Sequence, residues 1–560
     1  MSNMDRDIEK TSTNSGTLGP ERNDTTFAPI QPPQAIRTRS RASARISRCQ
    51  SQNGYSCNPH SEPSDDEVEK DPFEVGWDGG DNDSLCPRSF RKMKKWLIII
   101  IVSSGSLCVT AASSIYTSTY EQMEDEFGNS REVSILGLSF FVLGIGLGPM
   151  FLGPLSEFYG RRLIYIVSWT LYVIFIIPQA VAQNIETVIV SRFLDGFAGS
   201  AFLAVSGGTV GDLFTADELQ APMLMFSLAP FVGPSIGPLI GGFINYNTDW
   251  RWTHWTLLIW AFVLLLGIVF LVPETYHPIL LKNKAKQMRK ETGDGRWKAP
   301  TEKVQKSAAS AIGRSLLRPF QLLIFEPMCL NLCIFTAIVL GILYLFFGAF
   351  HLVFGDIYGF NLWQNGCSFL GILVGMLLAA GLDPLWHNIR SKLIRKLSEE
   401  TGIEGNSQPE FRLPPAILGG ILVPVGIFMF AWSCYPWVHW IVPIVGSAIF
   451  GAGILLVFSG VFTFLVDAYP QYAASALAAN AFVRCVFAAA FPLFGNQMYT
   501  KLNNHWASSL LAFLTVAMMP FPYLFFRPSA IAASTRLQVL GQQHGSYPPT
   551  ALTYTCLYPL

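Results

Sequence analysis

The chain has 560 residues, of which 50% are hydrophobic and only 14% are charged, and its 39 basic and 39 acidic residues cancel. A typical soluble domain has about 25% charged residues, so the composition excludes an ordinary soluble enzyme and favours a protein embedded in a lipid bilayer. The absence of net charge gives no sign of a nucleic-acid partner, and we predict none.

The first 95 residues are rich in Ser, Asn, Pro and charge, with almost no apolar periodicity. This composition predicts a disordered cytosolic tail over residues 1–95. The N-terminus is polar and lacks the apolar core of a cleavable signal peptide. We therefore expect the first long apolar segment, which starts after Lys95, to direct membrane insertion.

Twelve apolar segments follow, each close to the ~20 residues that a helix needs to cross a bilayer. They cover residues 97–119, 134–153, 163–183, 188–211, 221–244, 253–273, 328–353, 362–382, 414–434, 438–465, 471–498 and 506–526. This pattern predicts an all-α membrane protein of twelve transmembrane helices in two pseudo-symmetric bundles. The bundles would occupy residues 96–273 and 328–526, with a cytosolic linker at 274–327 and a C-terminal tail at 527–560.

Basic residues alternate between the two sides of the predicted membrane. The 274–325 and 383–413 loops are rich in Lys and Arg, whereas the loops near 184–187, 354–361 and 433–438 contain neither. Basic loops stay on the cytosolic side of a membrane. Both termini and the long linker are therefore predicted to be cytosolic.

A decapeptide with the sequence GPLSEFYGRR joins the second and third segments, from Gly153 to Arg162. Gly153 and Gly160 permit a tight turn, and Arg161 and Arg162 would lie beside the negatively charged inner leaflet. Glu157 would lie at a helix end, where it could bond a backbone terminus or a basic side chain. An ordinary short loop anchored by arginines is the alternative.

The fourth apolar segment contains Arg192, Asp195 and Gly196. A charged side chain inside the bilayer is costly and indicates function by default. Gly196 would let another helix approach closely. The alternative is a structural arginine whose side chain reaches back to the outer interface.

The fifth segment contains the run GPSIGPLIGG. Its glycines and prolines predict a kink and a flat face for close helix packing. The residues concerned are Gly233, Pro234, Gly237, Pro238, Gly241 and Gly242.

These motifs resemble those of the major facilitator superfamily. The decapeptide is similar to the signature loop G-x-x-x-D-x-x-G-R-R/K, with Glu157 in place of the usual Asp. The run from Arg192 to Gly196 resembles the R-x-x-x-G motif, and GPSIGPLIGG resembles the G-P-x-x-G-G signature of antiporters. With further similarity over about residues 72–527, the chain is identified as a member of the fungal twelve-spanner drug:proton antiporters.

The resemblance implies the major facilitator fold and proton-coupled export of a small organic molecule, such as a drug, toxicant or secondary metabolite, by alternating access. In that family the signature loop latches the two halves in one state, and we expect Arg161 to pair with Asp212. The span-four motif implies that Arg192, Asp195 and Gly196 take part in proton coupling. We expect a monomer in the cell membrane, whose partners are protons, the cargo and the bilayer.

Four polar or aromatic residues are predicted to face the substrate cavity, namely Tyr120, Tyr344, Asn480 and Arg484. Many members of the resembled family carry a glutamate where this chain has Gly348. The missing carboxylate argues against a strongly cationic cargo.

Two other functions stay open at this point: uptake of a nutrient, which the span-five signature argues against, and a membrane sensor that does not transport. The sequence contains no HExxH motif, nucleophile elbow or Walker lysine motif. We therefore predict a protein that is not an enzyme and has neither a cofactor nor a metal site.

Overall fold

The structure is a computed structural model that describes residues 73–77, 83–215, 218–302, 308–401, 407–469 and 472–526. The regular structure of these residues is helical, apart from an isolated β-bridge between Glu74 and Lys298. The predicted all-α membrane fold is therefore confirmed. Long uninterrupted helices are what a bilayer requires, because backbone groups in hydrocarbon must bond within their own segment.

Six membrane-length helices form the first half. They are α1 (Lys92–Phe127), α2 (Arg131–Tyr159), α3 (Arg161–Ala180), α4 (Ile185–Leu213), α5 (Ala221–Asn247) and α6 (Arg251–Leu271). Local sequence sets the boundaries: Asn184 caps α4 by accepting a hydrogen bond from the Thr187 amide, 3.1 Å away. Gly160 separates α2 from α3 with a φ of 95°, which favours glycine.

Two helices on the linker, α7 (His277–Thr292) and α8 (Ala308–Phe325), precede the second half. The next helices are α9 (Pro327–Ile357), α10 (Leu362–Glu399), α11 (Pro414–Ser433) and α12 (Ile441–Ala468). A last helical stretch, Ala473–Phe526, is apolar over much of its length. The described residues thus contain 11 helical segments that are long and apolar enough to cross a membrane.

The last of these segments is two helices. Asn503 has a φ of 61° and a ψ of 160°, which no helix contains. The Tyr499 hydroxyl bonds the Ser508 hydroxyl at 2.8 Å, although nine residues of continuous helix would separate them by about 13 Å. The chain therefore reverses at Asn503, giving α13 (473–502) and α14 (504–526), and the described residues form the twelve crossings that the sequence predicts.

The packing of the helices repeats between the two halves. In the first half α1 packs on α5, α2 on α4 and α3 on α6; in the second, α9 packs on α13, α10 on α12 and α11 on the last helical stretch. The halves meet where α2 contacts α13 and where α5 contacts α10. We call the side on which α1 begins the predicted cytosolic face, and the opposite side the predicted outer face.

Part of the N-terminal segment departs from the expectation of a disordered tail up to residue 95. Residues 73–77 and 83–90 pack on the linker and form an apolar cluster of Val75, Trp77, Cys86, Leu281, Ala285 and Ala299. Lys284 of α7 forms an ion pair with Asp83 at 2.8 Å, and both side chains are about one-tenth exposed. Burial of these apolar side chains offsets the cost of ordering the segment. Residues 1–72 and 527–560 lie outside the described residues.

Candidate functional site

The signature loop is built around the Arg161 side chain, at the predicted cytosolic face. Its Nε lies 3.4 Å from Oδ2 of Asp212, at the end of α4, and its Nη1 donates to the Ser156 hydroxyl at 2.6 Å. The guanidinium carbon also lies 4.7 Å from the centre of the Tyr276 ring. The expected pairing of Arg161 with Asp212 is therefore present, and it ties α3 to α4.

Glu274 caps the start of α3. Its carboxylate accepts hydrogen bonds from the amides of Arg161 (2.9 Å) and Arg162 (3.2 Å), and also from Thr275 and Tyr276. A carboxylate at a helix N-terminus satisfies free amides and is favoured by the helix dipole. Burial raises the pKa of the Tyr276 phenol well above its ordinary value, and the nearby Glu157 charge adds to this shift.

The other residues of the signature loop make fewer contacts than Arg161. Arg162 donates from Nη2 to the Val269 carbonyl at 3.0 Å, and Gly153 has open space on its Cβ side. Glu157 forms no hydrogen bond or ion pair within the described part of the chain. Our expectation that Glu157 bonds a helix terminus or a basic side chain is therefore wrong for this conformation. Glu157 lies in the last turn of α2, whose dipole repels a carboxylate, and Glu274 takes the capping role.

Replacing Glu274 by alanine is expected to slow export several-fold and to destabilise the protein by roughly 1.5–3 kcal/mol, because charge-assisted bonds to α3 are lost. Efflux from cells and the thermal unfolding midpoint of the purified protein would measure both effects. The matched control is Glu291→Gln on α7, since Glu291 is exposed and bonds only Gln287. An unchanged midpoint in Glu274→Ala would contradict a capping role.

The second half has a matching ion-pair cluster at its predicted cytosolic face. Asp467 ends α12 as Asp212 ends α4, and its Oδ2 lies 2.7 Å from Arg412 Nε and 3.6 Å from Arg390 Nη2. We did not predict this cluster from the sequence. The sequence does contain a sign of this cluster. Arg390 and Arg412 both lie in the basic 383–413 loop, and Asp467 lies at the end of an apolar segment that follows it.

Arg192 connects three helices inside the first bundle. Its side chain is 0% exposed, and it donates from Nε to the Gly137 carbonyl of α2 and from Nη2 to the Ala112 carbonyl of α1, both at 3.0 Å. The guanidinium lies 4.0 Å from the Tyr116 ring centre and 4.6 Å from that of Phe141. The alternative of an arginine that reaches the outer interface is therefore wrong.

Asp195 points to a different neighbour from Arg192. It is 1% exposed, and its Oδ2 accepts a hydrogen bond from Nε2 of Gln179 on α3 at 3.0 Å. Its Oδ1 is buried with no hydrogen-bond partner among the described residues. Gly196, one residue further, lies against the backbone carbonyl of Phe141, so that α4 and α2 touch. The span-four motif thus contacts three helices of the first bundle.

The glycines of the span-five signature serve two interfaces. Gly233, Gly237 and Gly241 lie against α1, where an added Cβ would overlap its side chains and backbone. Pro234 lies between them, and α5 continues as one helix through its prolines. The three glycines therefore let α5 and α1 approach within the first bundle.

The remaining signature residues face the other bundle. A Cβ on Gly242 would come within 2.7 Å of the Leu362 carbonyl oxygen of α10. A Cβ on Gly366 of α10 would likewise come within 2.5 Å of the Pro238 carbonyl oxygen. Backbone therefore meets backbone where the bundles join near the predicted outer face, and the Phe243 ring stacks on Trp363 beside this contact.

The four predicted cavity residues do not lie together at one site. The Tyr344 hydroxyl of α9 bonds the Ser113 hydroxyl of α1 at 2.9 Å, so it joins the two bundles. Asn480 donates to the Thr336 hydroxyl at 2.7 Å, inside the second bundle. Arg484 lies between aromatic rings of α12, as described below, and Tyr120 lies near the predicted outer face.

Tyr120 lines a small cavity at the predicted outer face, and a cross-bundle hydrogen bond lies beside it. Glu121 of α1 is 2.9 Å from Nε2 of His351, which opens the π-helical turn His351–Ile357 at the end of α9. Nδ1 of His351 also bonds the Asn365 amide at 3.1 Å. We did not predict this pair from the sequence, because its two members are far apart in the chain.

Comparisons with known proteins agree with this architecture. A sequence profile described as Major Facilitator Superfamily matches residues 102–492. The efflux pump atB of Aspergillus terreus is 54% identical over 448 residues, which are 80% of this chain and 86% of that protein. The probable drug/proton antiporter YHK8 of Saccharomyces cerevisiae is 44% identical over 445 residues, 79% of this chain and 85% of that protein.

Solved structures share the fold at low identity. The xylose transporter XylE from E. coli, in a partially occluded inward-open conformation, has a TM-score of 0.54 and 18% identity. The match covers 78% of this chain and 98% of that one. The human organic anion transporter MFSD10 has a TM-score of 0.54 and 15% identity, covering 76% and 99%.

The chain forms two six-helix bundles that repeat the same packing and contact each other through membrane-length helices. Charged side chains are buried inside these bundles. Together these features define a multi-pass membrane transporter. The chain belongs to the Major Facilitator Superfamily. The predicted likeness to the fungal drug:proton antiporters is confirmed, as is the prediction of a proton-coupled efflux transporter of small molecules.

Proposed function

We propose that this chain moves its cargo out of the cell by rocking two bundles, residues 96–273 and 328–526, about a central site. The strongest support is the repeated packing of the bundles together with cross-bundle contacts between complementary groups. The linker at 274–327 would connect the bundles on the cytosolic side. Alternating access requires two packings of similar free energy, between which cargo and protons shift the population.

The described conformation would be the one closed to the outside. Three cross-bundle contacts support this assignment: the hydrogen bond between Glu121 and His351, the approach of Gly242 to α10, and a 2.7 Å hydrogen bond from the Ser139 hydroxyl to the Ala489 carbonyl. All three lie towards the predicted outer face. Opening of the site to the outside would break them together.

We assign the coupling proton to Asp195. Its buried carboxyl has one oxygen without a partner, and a carboxylate in the bilayer interior costs about 2.5–3.5 kcal/mol. Uptake of a proton removes that cost, so protonation changes the relative free energies of the two conformations. Arg192 would hold α1, α2 and α4 together around this group, and Gly196 would let α4 and α2 stay in contact.

The signature loop would keep the cytosolic end of the first bundle rigid, through Glu274 and the Arg161–Asp212 pair. In the opposite conformation Glu157 would bond the other half and latch it. We further propose a monomer in the cell membrane with both termini cytosolic, which the alternation of basic loops supports. Tyr344 and Arg484 are the proposed cargo contacts, since both lie where the bundles meet.

Expression of the chain in cells that lack other exporters is expected to lower the accumulation of a small organic toxicant several-fold. A proton uncoupler should abolish this difference, because the proton gradient drives the export. Empty-vector cells with and without the uncoupler are the control. Higher accumulation in expressing cells would indicate uptake instead, and accumulation that the uncoupler leaves unchanged would contradict proton coupling.

A further inference from the structure

Arg484 lies at about the middle of the membrane. It is about 16 Å along α13 from Ala473, at about 1.5 Å per residue, in a hydrocarbon core of about 30 Å. The next residue, Cys485, lies against Gly146 of α2, so this stretch of α13 faces the first bundle. A guanidinium is therefore held at bilayer depth where the two bundles meet.

The Arg484 guanidinium contacts aromatic faces in place of a carboxylate. It lies 5.0 Å from the ring centre of Phe462 and 5.3 Å from that of Phe458, both on α12. Phe231 of α5 stacks on Phe458 with ring centres 4.8 Å apart, which brings the first bundle to the same place. The Arg484 Nε is buried, and no described residue accepts a hydrogen bond from it.

No carboxylate of the second bundle is available at this depth among the described residues. The acidic residues of α9–α14 are confined to the ends of the apolar segments, namely Asp356, Asp383, Glu399 and Asp467. Asp467 is already held by Arg412 and Arg390. In contrast, Arg192 bonds two backbone carbonyls and Arg161 pairs with Asp212. Among the described residues, Arg484 thus differs from Arg192 and Arg161 in lacking an oxygen partner.

We propose that Arg484 binds an anionic group of the cargo, and that the exported molecules are organic anions with an aromatic ring. A guanidinium offers parallel N–H donors that match a carboxylate, sulfonate or phosphate. Aromatic faces stabilise a cation only in part, so an unpaired arginine in the bilayer favours an anion strongly. Phe231, Phe458 and Phe462 supply flat apolar surfaces for the ring of the same molecule.

This inference rests on the proposed export function, because it specifies the charge of the exported molecule. Binding to the purified full chain tests it separately from transport. Three probes share one ring system and differ in charge: naphthalene-2-sulfonate, the neutral naphthalene-2-sulfonamide and the cationic (2-naphthylmethyl)trimethylammonium. Equilibrium dialysis of each probe against the wild-type chain and its variants gives the dissociation constants.

The wild-type chain is expected to bind the sulfonate at least about tenfold more tightly than the sulfonamide, and the cation most weakly. Arg484→Gln should remove that preference and leave sulfonamide binding within about twofold, which also shows that the variant is folded. Arg484→Lys should keep part of the preference, because it retains the charge without the planar fork. Phe462→Leu should weaken the sulfonate and the sulfonamide alike.

Three results would overturn the proposal: tightest binding of the cation, no binding of the sulfonate, or a sulfonate preference that survives in Arg484→Gln. Any of these could occur in a chain that still exports other molecules, and the proposed function would then stand. Tight, Arg484-dependent binding of the sulfonate by a chain that shows no uncoupler-sensitive efflux in cells would support the site and contradict the export function.

Discussion

Replacing Asp195 by asparagine is expected to abolish export against a gradient while the protein stays folded in the membrane. The amide has the shape of the carboxyl and keeps the hydrogen bond from Gln179, but it cannot take up or release a proton. If Asp195 carries the coupling proton, the uncoupler-sensitive efflux should fall by more than about tenfold. Exchange of labelled for unlabelled cargo, which needs no net proton movement, should continue.

The matched control for this change is Asp356→Asn. Asp356 ends α9 at the predicted outer face and is exposed, so neutralising it should leave export at the wild-type level. Surface abundance and the thermal midpoint of both variants separate loss of coupling from loss of folding. Persistence of proton-driven export in Asp195→Asn would remove Asp195 from the mechanism.

The membrane helices could be predicted because a helix that crosses the bilayer must be apolar along its length, and this property can be seen in the sequence alone. A span needs a sustained apolar run, and the predicted segment 438–465 differs from Ile441–Ala468 by only three residues at each end. The polar residues of the KLNNH run at 501–505 likewise predict the gap in which Asn503 reverses the chain. The same criterion failed for residues 73–77 and 83–90, because their small apolar cluster depends on α7, about 200 residues away in sequence.

From the sequence we could predict only those parts of the site whose residues lie close together in the chain. Arg192, Asp195 and Gly196 were recognised from one stretch of chain, but the carbonyls that hold Arg192 come from two other helices. Glu274 was missed as a cap because it approaches α3 from the end of α6, 113 residues away from Arg161. The Glu121–His351 pair joins the two bundles, so its existence depends on the conformation as well as on the fold.

Replacing Gly366 by leucine is expected to prevent closure of the outer side and to reduce export by more than about tenfold. A Cβ there would lie 2.5 Å from the Pro238 carbonyl oxygen and 3.1 Å from the Leu239 Cα, and a backbone contact of this kind cannot be relieved by a side-chain rotation. Overpacking of a tight contact costs about 1–3 kcal/mol or more, which is enough to shift a two-state equilibrium. The bundles should therefore separate at the predicted outer face.

Two measurements distinguish this outcome from misfolding. A cysteine at Thr117, which lines the outer cavity, should react faster with an impermeant thiol reagent applied outside cells when Gly366→Leu is present. Gly381→Leu is the matched control, since it is the same substitution on α10 at a glycine with open space around its Cβ, and it should export normally. Equal export and equal Thr117→Cys labelling in the two leucine variants would show that the α5–α10 contact does not close the transporter. We expect slower export and faster labelling from outside in Gly366→Leu but not in Gly381→Leu. This result would mean that the span-five signature lets the backbones of the two bundles touch, and that this contact closes the outer side in one half of the transport cycle.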